Sequence, residues 1–191
     1  MLRITALLML LALAVPAGAS AAEPRTAPDC RFDSARAYED FGRIRVFTTD
    51  SGLYGCLTDV GRAYRLDTGT MRARTSATRR VVFGVGDWVG FPTRTRSGDV
   101  RVRARNLRTG KAHSAPARAA VTALVVNFDG TLAWIAGTEL HAKQATGGAR
   151  TLGADAAIDR RFLGLENDQG CAVTWRAGGE QRSSSIYCAH P

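Results

Sequence analysis

The chain has 191 residues and a formal net charge of +9, from 26 lysines and arginines against 17 aspartates and glutamates. This length is sufficient for one domain with its own hydrophobic core. A composition with 45% hydrophobic and 23% charged residues excludes an intrinsically disordered chain. The 20 glycines and 6 prolines show no period, which excludes collagen and a coiled coil. The composition therefore predicts a globular protein.

Residues 1–21 have the pattern of a secretory signal peptide. Arg3 provides a basic start, and the apolar run Ala6–Val15 is shorter than the roughly 20 residues that span a bilayer. Ala19-Ser20-Ala21 has the small residues that signal peptidase recognises. We expect cleavage after Ala21, giving a secreted or extracytoplasmic protein with no later membrane span. Residues 22–42 are then an N-terminal segment, and residues 43–191 form the folded domain.

Export changes the interpretation of the four cysteines, because an even number outside the cytoplasm indicates disulfides. Four cysteines allow three pairings, and we favour the two sequence-local ones. No C-x-x-C or C-x-x-H spacing occurs, so the cysteines do not predict a zinc site. The favoured pairs are Cys30–Cys56 and Cys171–Cys188.

The body of the chain reads as short β-strands separated by Gly, Asp and Ser. Val100–Arg105 alternates apolar and basic residues, as a strand with one buried face does. Asp129-Gly130 joins two apolar runs, which is a strong hairpin signal. Further pairs of strands are expected around residues 161–176 and 181–187. The sequence predicts an all-β protein with about a dozen strands.

Aromatic residues recur at near-equal intervals along these strands. Four of them, Phe47, Phe91, Trp134 and Trp175, are separated by 44, 43 and 41 positions. A period of about 40–45 residues with four strands per unit is typical of a propeller blade, in which each sheet is covered by its neighbours. An aperiodic β-sandwich is the alternative. The proposed repeat core is Phe47, Phe91, Trp134 and Trp175.

The third unit carries a family resemblance. Residues 124–134 read LVVNFDGTLAW, which resembles the strand–Asp-Gly–strand signature of TolB-type, WD-repeat-like propeller blades, and residues 147–152 are similar to the turn and last strand of that repeat. The chain also resembles small exported propeller-like proteins of high-GC bacteria. The resemblance implies a binding scaffold without catalytic residues. It leaves open whether four units close into a ring. It is good over 121–153, partial over 81–117 and 158–176, and faint over 43–67.

An arginine-rich hairpin between residues 94 and 108 is the clearest chemical feature. Asp99 is its only acidic residue, and like charges opposite one another destabilise a sheet unless an anion lies between them. A two-residue turn at Ser97-Gly98 would place Arg94 opposite Arg101. Guanidinium groups bind carboxylates, sulfates and phosphates, so we expect contact with an anionic envelope glycan or lipid head groups. A solvated strand face is the alternative. The candidate residues are Arg94, Arg96, Arg101, Arg103, Arg105 and Arg108.

The sequence predicts no catalytic residue, cofactor or metal site. His113, His141 and His190 lie in no metal or triad spacing, and we expect His141 on the solvated face of its strand. No aromatics interleave the arginines, which argues against nucleic acid as a partner. We expect a monomeric binding protein; a protein-interaction scaffold is a further reading. The alternative is an extracellular polysaccharide hydrolase or lyase that gathers Asp50, Asp87, Asp129, Asp155 and Glu166 at the hub.

Overall fold

The computed structural model describes residues 26–33, 35–66, 82–95, 97–166 and 171–186. These residues contain fifteen strands and one short 3-10 turn, Pro28–Cys30. Every pairing of neighbouring strands is antiparallel. The strands form four separate open sheets. The prediction of an all-β protein is confirmed.

Strands follow chain order across each sheet. Sheet I contains β1 (Ala37–Phe41), β2 (Ile44–Thr49), β3 (Gly52–Leu57) and β4 (Ala63–Arg65). Sheet II contains β5 (Phe83–Val85), β6 (Trp88–Arg94), β7 (Val100–Asn106) and β8 (Ala112–Pro116). Sheet III contains β9 (Val121–Val126), β10 (Leu132–Ala136), β11 (Glu139–Lys143) and β12 (Ala149–Ala154). Sheet IV contains β13 (Ile158–Glu166), β14 (Cys171–Ala177) and β15 (Glu180–Ile186).

Strand β1 lies in the part of the chain that the sequence assigned to an N-terminal segment. It pairs with β2 from Ala37 opposite Thr48 to Phe41 opposite Ile44, across a tight turn at Gly42. Gly42 has φ +64°, a conformation that glycine adopts without a steric cost. Sheet I therefore begins before residue 43. The leading strand was missed because AYEDF is partly polar and has no apolar alternation.

The sheets bury their apolar faces against their neighbours in chain order. Alternate residues of a strand point to opposite faces, so β9 uses Leu124 and Val126 against sheet II, and Ala123 and Val125 against sheet IV. A third apolar cluster joins sheets I and II around Ile44 and other buried residues. Within the described ranges, each cluster that joins two sheets joins consecutive ones.

The four recurring aromatics occupy matching places. Phe47 lies in β2, Phe91 in β6, Trp134 in β10 and Trp175 in β14, so each is in the second strand of its sheet. All four are buried, with at most 6% of their surface exposed. Phe91, Trp134 and Trp175 each face the preceding sheet.

Among the described residues no sheet precedes Phe47, and the N-terminal segment covers it instead. The Phe32 ring stacks on Phe47 with centroids 4.7 Å apart, and Cys30 forms the predicted disulfide with Cys56 on β3. This segment is also joined to sheet I by a bridge between Thr26 and Arg62. The outer face of sheet I is therefore a closed apolar layer.

Some sequence predictions fall outside the described residues, namely the signal peptide, Arg96, His190 and Cys188. Cys171, the predicted partner of Cys188, is disulfide-bonded. Within the ranges given above, no helix is long and apolar enough to cross a membrane.

Candidate anion-binding site

The arginines of the predicted hairpin do not share one surface, because the turn is one residue longer than predicted. Arg94 pairs with Val100, and Thr93 pairs with Arg101. The Thr95 N–H bonds the Asp99 carbonyl, so the loop contains three residues and ends at Gly98 with φ +94°. A shift of one residue moves a side chain to the opposite face. Arg94 is therefore on the face of sheet II opposite to Arg101. The Nη1 of Arg94 donates a hydrogen bond to the Gly98 carbonyl at 2.8 Å.

Arg108 is held in an ion-pair network at the junction of sheets I and II. Its Nη2 donates to Asp59 and its Nε to Asp87, each at 2.8 Å. Arg43 contacts the same two carboxylates. The hydrogen bond from Arg108 lowers the pKa of Asp59 and raises the pKa of Arg108. Two arginines and two aspartates cancel in charge, so Arg108 is better suited to joining sheets than to binding an anion.

Arg101, Arg103 and Arg105 project from β7 toward sheet I. The residues between them, Val102 and Ala104, pack against sheet III. Opposite Arg103 and Arg105 on β6 are Phe91 and Val89, which belong to the cluster between sheets I and II. The alternation in the sequence thus predicted correctly that these three arginines share a face.

The three arginines differ in their hydrogen bonds. Arg101 donates to Ser114 Oγ from Nε at 3.3 Å and from Nη2 at 3.0 Å. Arg103 and Arg105 have buried Nε atoms without a hydrogen-bond partner. No carboxylate among the described residues forms an ion pair with either one. Burial, followed by the charge of Arg103, lowers the pKa of Arg105.

Sheet I contributes an aromatic residue to this surface. The Tyr64 ring on β4 has the guanidinium carbon of Arg105 5.5 Å from its centroid and that of Arg62 at 5.1 Å. Both distances are within the range of cation–π attraction. Tyr64 and Arg62 were missed because only the packing of sheet I on sheet II brings them to β7. We call Arg62, Tyr64, Arg101, Arg103 and Arg105 the arginine patch.

His141 is buried, so the prediction that it lies on the solvated face of its strand is wrong. His141 is 6% exposed and its ring stacks on Trp134 at 5.3 Å. Its Nδ1 is 3.1 Å from Thr151 Oγ1, and its Nε2 lies 3.1 Å from Glu139 Oε2 without forming a hydrogen bond. Burial lowers the pKa of His141, and also that of His113, whose Nε2 is 2.8 Å from the Gly130 carbonyl. A neutral imidazole fits both places.

Four of the five carboxylates of the alternative hydrolase prediction serve turns and ion pairs. Asp50 pairs with Arg36, and Asp87 belongs to the network at the sheet junction. Asp129 accepts from Thr131, and Asp155 accepts from the Ala157 N–H and pairs with Arg182. Glu166 ends β13. In the described part of the chain, no three His, Cys, Asp or Glu side chains are grouped to hold a metal ion.

No protein-family model matches this chain, and no curated protein matches it either.

Proposed function

We propose that this chain is an exported, non-catalytic β-repeat protein that binds an anionic polymer of the cell envelope through the arginine patch. The observation that carries the proposal is the neighbouring pair Arg103 and Arg105, which share a face, lack carboxylate partners among the described residues and have buried, unpartnered Nε atoms. Partly buried like charges repel unless a counter-ion lies between them. A bound carboxylate, sulfate or phosphate group would supply this counter-charge and accept hydrogen bonds from the guanidinium groups.

The proposal includes the propeller-like arrangement and the signal peptide. Four sheets of antiparallel strands in chain order, with an aromatic in the second strand of each, support a blade-like unit. The covered outer face of sheet I favours an array that stays open rather than a closed ring. The disulfide between Cys30 and Cys56 agrees with an oxidising compartment.

The test compares two double variants with equal loss of charge. Arg103→Gln/Arg105→Gln removes the unpaired guanidinium groups, and Arg31→Gln/Arg118→Gln removes two exposed arginines elsewhere. Retention on an acidic-glycan resin and on vesicles with anionic lipids is measured at rising salt. The patch variant should elute at markedly lower salt than wild type, because each lost charge contact reduces the salt dependence.

Two results would contradict the proposal. One is equal elution of the two double variants, which would reduce binding to net charge. The other is retention of the wild-type protein that does not change with salt. Thermal unfolding of both variants serves as the folding control.

A further inference from the structure

The outer surface of sheet IV is polar, unlike its inner face. Val173, Trp175 and Ala177 of β14 are buried against sheet III. The intervening residues and their partners on β15 lie on the other face: Arg176 opposite Gln181, the buried Thr174 opposite Ser183, and Ala172 opposite Ser185. Gln181, Ser183 and Ser185 are exposed. This surface therefore offers an amide and hydroxyl groups, which both donate and accept hydrogen bonds.

An irregularity in β13 brings an aromatic ring to this surface. Asp159 pairs with Arg176, and the next paired residue, Gly164, is opposite Thr174. Residues 160–163 thus bulge from the edge of the sheet, and bulges are common beside functional sites. Phe162, within the bulge, is 45% exposed. A single exposed phenyl ring needs no explanation, but its neighbours here are charged.

Arginines flank the Phe162 ring. The guanidinium carbon of Arg176 is 4.1 Å from the ring centroid and that of Arg161 is 5.8 Å away. Asp159 binds Arg161 through Nη2 at 2.6 Å and Nε at 3.0 Å. Arg176 forms no ion pair with any described carboxylate. The ring thus holds Arg176 in place while its hydrogen-bond donors stay available.

We propose that Phe162, Arg176, Gln181, Ser183 and Ser185 form a second site, for the acidic sugar units of a polysaccharide. Arg176 would bind the sugar carboxylate or sulfate, and the β15 side chains would bind its hydroxyl groups. Arg160, Arg161 and Arg176 outnumber the carboxylates Asp159 and Glu166 and give this region a positive charge that complements such a polymer. Single-stranded nucleic acid fits less well, since such sites present several aromatics in series. This site is separate from the arginine patch and does not depend on it.

The test uses protein in which Arg103→Gln/Arg105→Gln has removed the first proposed site. Phe162→Ala and Arg176→Gln are made in that background, with Phe128→Ala as the matched control. Phe128 is 57% exposed and lies on the β9–β10 turn. Binding of a galacturonic acid hexamer is measured by calorimetry, and of a neutral cellulose hexamer and a thymidine oligonucleotide for comparison. Titration of phenylalanine-labelled protein by NMR locates the site.

Arg176→Gln should raise the Kd for the galacturonic acid hexamer roughly tenfold, as expected for a lost charge-assisted contact. Phe162→Ala should weaken binding less, Phe128→Ala should leave it unchanged, and only the Phe162 signals should shift. Equal affinities for Phe162→Ala and Phe128→Ala would overturn the site. Tighter binding of the neutral hexamer or the oligonucleotide would overturn the acidic-glycan assignment. Because the first site is absent throughout, its own failure does not change these outcomes.

Discussion

The outer faces of sheets I and IV are opposites. On sheet I, Phe47, Tyr54 and Cys56 form an apolar layer under a disulfide-linked segment. On sheet IV, β15 exposes hydroxyl and amide groups to solvent. In an array of stacked sheets each inner sheet is covered on both faces, and only the two ends must solve the problem of exposure. This chain covers one end with additional residues and makes the other end polar.

The largest difference between the outer faces of sheets I and IV is expected when one aromatic residue is removed from each. Phe47→Ala should lower the free energy of unfolding by about 3–5 kcal/mol, because it leaves a cavity under a buried ring. Phe162→Ala removes a half-exposed ring and should change it by about 0.5 kcal/mol or less. Urea unfolding followed by tryptophan fluorescence measures both. Similar losses at the two positions would show that the ends are not different in kind.

The disulfide tests how the covered end is attached. Cys30→Ala/Cys56→Ala opens a link between residues 26 positions apart and should lower the free energy of unfolding by about 3 kcal/mol. Calorimetry should show a fall in Tm of roughly 6–12 °C. Val46→Ala, a substitution in the inner layer of sheet I, is the control for general loosening. An unchanged Tm in the cysteine variant would mean that Phe32 stacking alone holds the segment.

Lowering the pH should also distinguish the junction of sheets I and II from sheet IV, by a smaller change in thermal stability. Asp59 joins sheet I to sheet II, and its pKa is lowered by Arg108. A carboxyl whose pKa is lower in the folded than in the unfolded protein stabilises the fold above the unfolded value, near 3.8, and this contribution is lost as the pH falls through the folded pKa. Asp159 has a pKa of about 2 because of the hydrogen bond from Arg161, its neighbour on the same strand.

We therefore compare Asp59→Asn with Asp159→Asn by thermal unfolding between pH 5 and pH 2. Asp59→Asn should reduce Tm at pH 5 and flatten its fall below pH 4. Asp159→Asn should flatten the curve mainly nearer pH 2 and leave the junction of sheets I and II unaffected, as measured by hydrogen exchange of the Leu107 amide. This amide bonds the Asp87 carbonyl at 2.8 Å. Identical pH profiles for the two variants would contradict the expectation that Asp59, and not Asp159, stabilises the junction of sheets I and II.

Local sequence patterns correctly predicted those features of the fold that depend on one strand at a time. The all-β class and the shared face of Arg101, Arg103 and Arg105 follow from spacing and alternation. The disulfide from Cys30 to Cys56 was favoured among three pairings that the sequence left open. Contacts between sheets were not accessible in this way. Tyr64 meets Arg105, and His141 is buried on Trp134, only because sheets pack together. The face on which Arg94 lies depends on whether the hairpin loop has two or three residues. The sequence is compatible with both loop lengths and so does not decide the face.

Phe91, Trp134 and Trp175 each face the preceding sheet. At each of these junctions, one sheet therefore contributes an aromatic ring and the other contributes the surface that receives it. Trp134 projects onto small residues of sheet II such as Ala104 and Ala115, and Trp175 onto aliphatic residues of sheet III. Such head-to-tail contacts are heterologous, and repetition of a heterologous contact gives either a ring or a filament without limit. The N-terminal segment occupies the receiving position before Phe47, and the polar residues of β15 offer no apolar surface to a further aromatic. Within the described residues, the covered face of sheet I and the polar strand β15 therefore present unlike surfaces at the two ends of this series of sheets.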